Sequence, residues 1–168
     1  MGDRHVIVLA AGKGTRMRSS RPKVLHHVAG RTLIERVLDS SGSLDPSTTT
    51  VVVVHQAERV EASLSYRRGL QFVHQEPQRG TAHALLQAAP LFGEATGHLL
   101  VLSGDVPGIT PVILTQLTEV HETTGAVATV LTAHLDQPFG YGRVLRRDGS
   151  FVGIVEEVDA TPTQRLIR

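Results

Sequence analysis

The sequence predicts an α/β fold: a mostly parallel sheet with helices on both faces and a β-hairpin inserted late in the chain. Three observations predict it. Short apolar runs at 6–10, 51–54, 70–73, 99–102 and 127–131 have the length and aliphatic content of buried strands. Segments with helical spacing or helix punctuation alternate with them, the order that gives a parallel sheet covered on both sides. After Pro138 the alternation stops, and residues 142–145 and 151–155 flank Arg146-Arg147-Asp148-Gly149 as a hairpin.

The elements follow in order. The run 6–10 ends in Gly and polar residues, so it reads as a buried strand opening into a loop. Thr32-Leu33-Ile34-Glu35 has capping-box spacing, and Leu33, Ile34, Val37 and Leu38 share one helical face. Residues 51–54 are four consecutive valines, a buried strand, and Val60 and Leu64 mark a short helix after them. Residues 70–73 form the next strand. The Ala/Leu-rich segment 81–89 is a helix stopped by Pro90. Strand 99–102 precedes Thr110-Pro111, a cap with proline at the first helical position, and that helix runs to Gly125. The run 127–131 is expected to be a further strand. With no internal repeat or linker, residues 1–168 read as a single domain, and an incomplete one.

Composition excludes several classes. The chain's 168 residues suffice for one core, and with aromatics at 4% and no Trp that core is aliphatic. A net charge of +1 argues against a nucleic-acid partner. The absence of Cys excludes disulfides, thiolate metal sites and Cys nucleophiles. No run approaches the roughly 18 apolar residues of a membrane span, and the N-terminal apolar run is too short for a signal-peptide core. A cytoplasmic protein without membrane contact is expected.

The strongest functional signal is Leu9-Ala10-Ala11-Gly12-Lys13-Gly14-Thr15-Arg16-Met17. Small residues at the carboxyl edge of a parallel strand let the backbone approach a ligand. Lys13, Arg16, Arg18, Arg21 and Lys23 follow with no acidic residue among them, a local cationic pocket suited to a triphosphate. A Walker A loop is excluded because Gly-x₄-Gly-Lys-Ser/Thr is absent. A Rossmann fingerprint is excluded because Met17 stands where the third Gly is needed. The same spacing also fits a tight turn with a solvated basic rim.

Two further segments stand at strand ends. In Gln75-Glu76-Pro77-Gln78-Arg79-Gly80-Thr81 the Gln75 amide offers a donor and an acceptor to a base edge. Gly80 admits close backbone approach there, and Thr81 is placed to cap the helix while offering a hydroxyl. In Ser103-Gly104-Asp105-Val106-Pro107 a carboxylate at a strand's end suits a hard cation such as Mg²⁺, which takes one or two protein carboxylates. An ordinary polar loop and a turn aspartate fit these two spacings as well.

The nine His show no ligand spacing, and no Gly-x-Ser-x-Gly is present. The pair Glu156-Glu157 does not make a glycosidase, since adjacent strand residues point to opposite faces.

The loop at 9–17, continued by Pro22-Lys23-Val24-Leu25-His26, resembles the signature of sugar-phosphate nucleotidyltransferases, and among them the bifunctional bacterial N-acetylglucosamine-1-phosphate uridyltransferases that also carry an acetyltransferase domain. The resemblance implies a Rossmann-like nucleotidyltransferase sheet and the condensation of UTP with N-acetylglucosamine 1-phosphate, giving UDP-N-acetylglucosamine and pyrophosphate for cell-envelope precursors. It implies nucleotide contacts from Leu9, Ala10, Ala11, Gly12, Lys23, Gln75, Gly80, Thr81, Ser103, Gly104 and Asp105. Catalytic charge neutralisation falls to Arg16 and Lys23, and Mg²⁺ to Asp105. Gly140, within Asp136-Gln137-Pro138-Phe139-Gly140-Tyr141-Gly142-Arg143, and Glu156 are implied to serve the sugar. Ser103 departs from the family's usual Tyr, which leaves a backbone role but removes any ring contact. A related thymidylyl- or uridylyltransferase and a non-catalytic nucleotide-binding module are the alternatives.

The resemblance further implies that an Asn for the sugar, a second metal ligand, the acetyltransferase domain and the homotrimer it forms lie past Arg168. This chain is therefore expected to bind UTP, turn over poorly and expose an apolar sheet edge.

Overall fold

The computed structural model describes residues 3–12, 17–54 and 56–168. The chain divides into two compact units, Met1–Val127 and Ala128–Arg168.

The first unit is built on a parallel sheet of β1 (Arg4–Leu9), β4 (Thr48–Val53), β5 (Leu70–His74) and β6 (His98–Ser103), in the order β5-β4-β1-β6. Register puts Val8 beside Val51 and Leu102, and Ile7 beside Thr50 and Val101. Alternation along each strand therefore sends Val6, Val8, Val51 and Val53 to one face, and Ile7 and Val52 to the other.

Helices cover both faces. Helices α1 (Leu33–Gly42), α2 (Ala57–Leu64) and α4 (Pro111–Thr124) place Ile34, Val37, Val60, Leu64 and Leu114 on the first face. Helix α3 (Thr81–Ala88) places Ala84 and Ala88 on the second. The capping box at α1 is complete: the Thr32 hydroxyl accepts from the Glu35 N–H, and Glu35 accepts from the Thr32 N–H at 2.8 Å. The Thr110 hydroxyl caps α4, with Pro111 in the first turn and Gly125 left-handed at its end. A short hairpin, β2 (His27–Val28) with β3 (Arg31–Thr32), precedes α1.

This winding positions the site. The chain leaves β1 for β4 and β5 with α1 and α2 on one face, then returns past β1 through α3 on the other face to β6. Direction reverses between β1 and β6, and a crevice opens at their carboxyl ends.

Two expectations are corrected. Residues 127–131 join no strand among the described residues; Val127 and Leu131 are solvent-exposed, and an apolar run becomes a strand only where a neighbour supplies ladder partners. Thr81 does not cap α3. Gly80 is the N-cap, at φ 94° and ψ −179°, and Thr81 is already the first helical residue with no side-chain cap bond. Strand β6 ends the strand order, and Leu99 and Val101 on one of its faces are 46% and 40% exposed. No helix among the described residues is long and apolar enough to cross a membrane.

The second unit contains the hairpin β7 (Arg143–Arg147) and β8 (Ser150–Val155) and a single-turn helix α5 (Pro162–Arg165). Asp148 and Gly149 turn the hairpin with φ 52° and 80°, so the strands reach further than 142–145 and 151–155 predicted. Arg143, 3% exposed, donates to the Glu157 carboxylate at 2.9 Å, to the Tyr141 carbonyl and to the Arg165 carbonyl.

Candidate functional site

A cavity of about 260 Å³ occupies the crevice of the first unit. Leu9 lines it from the end of β1, and Ala11 and Gly12 from the loop that follows. A Cβ built on Gly12 would meet no atom of the described residues within 4 Å, the room that close backbone approach to a ligand requires. Ala10 is not part of the lining; it is buried, and its N–H donates to the Val52 carbonyl at 2.8 Å. Gly104 is also taken up by packing. Its N–H donates to the Leu9 carbonyl at 2.9 Å, and a Cβ would come within 3.1 Å of that oxygen and 3.2 Å of Val8.

Lys23 and Asp105 meet across the cavity. A one-turn 3₁₀ segment, Lys23–Leu25, is anchored by buried Val24 and Leu25, which leaves Lys23 at the cavity wall. Asp105 stands just past β6. The Lys23 ammonium donates to Asp105 Oδ2 in an ion pair whose side chains are 32% and 30% exposed. Two further residues of the expected cationic pocket are described. Arg18 and Arg21 are exposed, with Arg21 lying 3.3 Å from His27 Nδ1, because the chain between them runs along the surface. Arg16, Lys13 and the loop centre lie outside the described residues.

The segment after β5 forms another wall with Gln75, Gln78, Gly80 and Thr81. Gln75 is 3% exposed. Its Nε2 donates to the Gly80 carbonyl at 3.0 Å and lies 2.9 Å from His83 Nδ1. With His83 Nδ1 accepting, both amide hydrogens are engaged, and Oε1 is buried without a partner among the described residues. Gln78 donates to the Ala11 carbonyl, tying this wall to the glycine-containing loop. Sequence reading assigned no role to Gln78 or His83. The signal available was local: Gln78 sits within the polar loop, and His83 lies on the first turn of α3, eight residues from Gln75. Ser103 is exposed at the cavity.

Gly140 and Glu156 belong to the second unit. The Gly140 N–H donates to Glu157 Oε2 at 3.2 Å. Glu156 and Glu157 lie just past β8 rather than on it, and Glu157 is the carboxylate that Arg143 holds.

Residues 6–150 match the MobA-like NTP transferase domain. The chain belongs to that family. The Bifunctional protein GlmU of Synechococcus sp. (strain CC9605) is 52% identical over 161 residues, covering 95% of this chain and 36% of the relative's length. This NTP transferase chain therefore spans about a third of that curated relative. A Bacillus anthracis structure named as a candidate glucose-1-phosphate thymidylyltransferase, in complex with sucrose, shares the fold at TM-score 0.71 and 19% identity, covering 92% of this chain and 64% of its own. Rv0371c of Mycobacterium tuberculosis, solved with manganese, shares it at TM-score 0.58 and 23% identity, covering 72% and 60%.

Proposed function

We propose that the chain binds UTP in the β1–β6 crevice and transfers its uridylyl group to N-acetylglucosamine 1-phosphate. The observation that carries this reading is the cavity at the point where the winding reverses, which gathers a glycine-containing loop, a lysine, an aspartate and a buried amide acceptor. Membership of the NTP transferase family supports nucleotidyl transfer, and the 52% identity to Bifunctional protein GlmU, together with the motif resemblance, supports this sugar and this base.

In the reaction a phosphate oxygen of the sugar phosphate attacks the α-phosphorus of UTP. The bond from that phosphorus to the bridging oxygen breaks in line, and pyrophosphate leaves with the bond's electron pair. No covalent enzyme intermediate is required, so the protein's work is positioning and charge neutralisation. Lys23 borders the cavity and supplies one positive charge to the phosphates. Arg16 is carried as its partner on the motif resemblance alone. Leu9, Ala11 and Gly12 offer backbone to the nucleotide, and Gly80, Thr81 and Ser103 border it. Ala10 and Gly104 hold this wall in place rather than line it. Gly140 and Glu156 keep the sugar role that the resemblance implies.

Asp105 is the residue that would hold a divalent cation, for which we take Mg²⁺. The side chain fits the role: it stands at a strand's carboxyl end beside the cavity and already carries a cation, the Lys23 ammonium. When bound, the ion supplies further neutralisation of the triphosphate. The manganese held by the Mycobacterium tuberculosis neighbour agrees with a divalent ion in this fold.

The deciding experiment measures pyrophosphate release from UTP with and without N-acetylglucosamine 1-phosphate and Mg²⁺, beside calorimetric binding of UTP. Release that requires all three components supports the reading. UTP binding without release leaves a nucleotide-binding module, and release with glucose 1-phosphate or dTTP in preference points to a related transferase.

A further inference from the structure

We infer that His83 is a positioning residue for base selection: its Nδ1 holds the Gln75 amide so that only an oxygen is offered to the base. The inference rests on the nucleotide reading above and adds a residue to it.

Gln75 Nε2 has two acceptors, the Gly80 carbonyl at 3.0 Å and His83 Nδ1 at 2.9 Å. Which end of an amide is nitrogen follows from such a network. Turning this amide over would set its oxygen against the Gly80 carbonyl oxygen and against an imidazole lone pair, two repulsive contacts in place of two hydrogen bonds. The accepting Nδ1 requires the ring proton on Nε2. Gln87 Nε2 lies 3.3 Å from His83 Nε2, one turn further along α3, and a ring proton there is accepted once the Gln87 amide turns its oxygen toward the ring. With Gln87 so turned, the relay Gln87–His83–Gln75 runs toward Gln75, whose Oε1, on a cavity-lining side chain, is buried and without a partner among the described residues.

An acceptor of fixed direction selects its ligand. The imide N3–H of uracil donates to it. The N3 of cytosine presents a lone pair instead, and two acceptors face each other unpaired. Without His83 the amide is held by the Gly80 carbonyl alone, and its reversal to meet cytosine becomes cheaper by about one hydrogen bond. A residue that merely packed α3 would, on removal, weaken both nucleotides alike.

The test titrates UTP and CTP calorimetrically into the wild-type chain, His83→Ala and His83→Asn, with thermal melts confirming that each folds. The wild type is expected to prefer UTP. His83→Ala should shrink the UTP-to-CTP affinity ratio roughly fivefold or more, and His83→Asn, whose Oδ1 replaces Nδ1 as acceptor, should restore most of it. An unchanged ratio in His83→Ala, or no recovery in a folded His83→Asn, overturns the inference and leaves the nucleotide reading intact. Failure of the wild type to bind either nucleotide overturns that reading instead. Ring ¹⁵N shifts of the wild-type protein give a second test that needs no variant: His83 should carry its proton on Nε2, and a proton on Nδ1 overturns the proposal.

Discussion

Lys23 donates a charge-assisted hydrogen bond to Asp105, joining the segment after β1 to the end of β6 across a separation of 82 residues. Each group has a second proposed task, phosphate for the lysine and a divalent cation for the aspartate. Neither can perform it while they hold each other. A triphosphate entering with its metal replaces one ion pair by two, so nucleotide and metal should bind together more readily than metal alone. Lys23→Met keeps the length and removes the charge. Mn²⁺ binding without nucleotide should then strengthen about tenfold, the scale of one charged hydrogen bond, while UTP binding weakens. Paramagnetic resonance of free Mn²⁺ reads the first and calorimetry the second. An unchanged Mn²⁺ affinity would show that the pair does not guard the carboxylate.

Gly104 tests the link between packing and site. A Cβ there would press on the Leu9 carbonyl at 3.1 Å, on Val8 at 3.2 Å and on Val24 at 3.4 Å, all of them part of the cavity lining or its support. Gly104→Ala should cost about 1–3 kcal/mol of stability by overpacking, measured by urea unfolding, and should weaken UTP binding in the folded fraction. Wild-type stability would mean that the β1 and β6 ends part without penalty.

What the sequence made legible was set by local chemistry. Thr32 and Glu35 announce the start of α1 because both partners of the capping box lie within one turn. Thr110, Pro111 and Gly125 bracket α4 for the same reason. The strand runs were legible from their aliphatic density. The misses came from partners far along the chain. Nothing local shows that residues 127–131 lack a neighbouring strand. Gln78 reaches Ala11 across 67 residues, and Lys23 reaches Asp105 across more. At the start of α3 a general preference for Thr caps lost to a specific backbone demand, since φ 94° at position 80 calls for glycine and puts the cap one residue earlier, at Gly80.

The pH dependence of stability has a named source. The Glu35 carboxyl is lowered from its ordinary 4.5 to about 2, first by the Tyr66 hydroxyl that donates to it, then by the hydroxyl and backbone N–H of Thr32. A carboxyl with a depressed folded value stabilises the fold above 4.5, and that contribution is lost as the pH falls toward 2. Tyr66 is 62% exposed, so solvent screens the contact. Tyr66→Phe should therefore cost only about 1 kcal/mol at pH 7, and the gap to the wild type should close on acidification through that window. Urea unfolding of both proteins at pH 7 and at pH 2 checks it. A gap independent of pH would assign the loss to packing of the ring.

The last prediction concerns Gln78, whose amide donates to the Ala11 carbonyl and so fastens the loop after β1 to the wall that carries Gln75 and Gly80. The bond lies at the cavity, between a segment proposed to meet phosphate and one proposed to meet the base. Its loss costs little folding free energy, because both groups can turn to water. What it removes is the fixed spacing between the two halves of the nucleotide site, and a loop that must be ordered on binding charges its entropy to the ligand. Gln78→Ala should therefore leave the melting temperature near that of the wild type and weaken UTP roughly fivefold. Gln78→Glu should weaken it more, since a carboxylate cannot donate to the carbonyl and adds a negative charge beside the proposed phosphate path. Uridine, which lacks phosphates, should lose less than UTP in the Glu variant. Calorimetry with both ligands, beside thermal melts, reads all three effects. Equal UTP affinity in wild type and Gln78→Ala would show that the two walls keep their spacing without the bond.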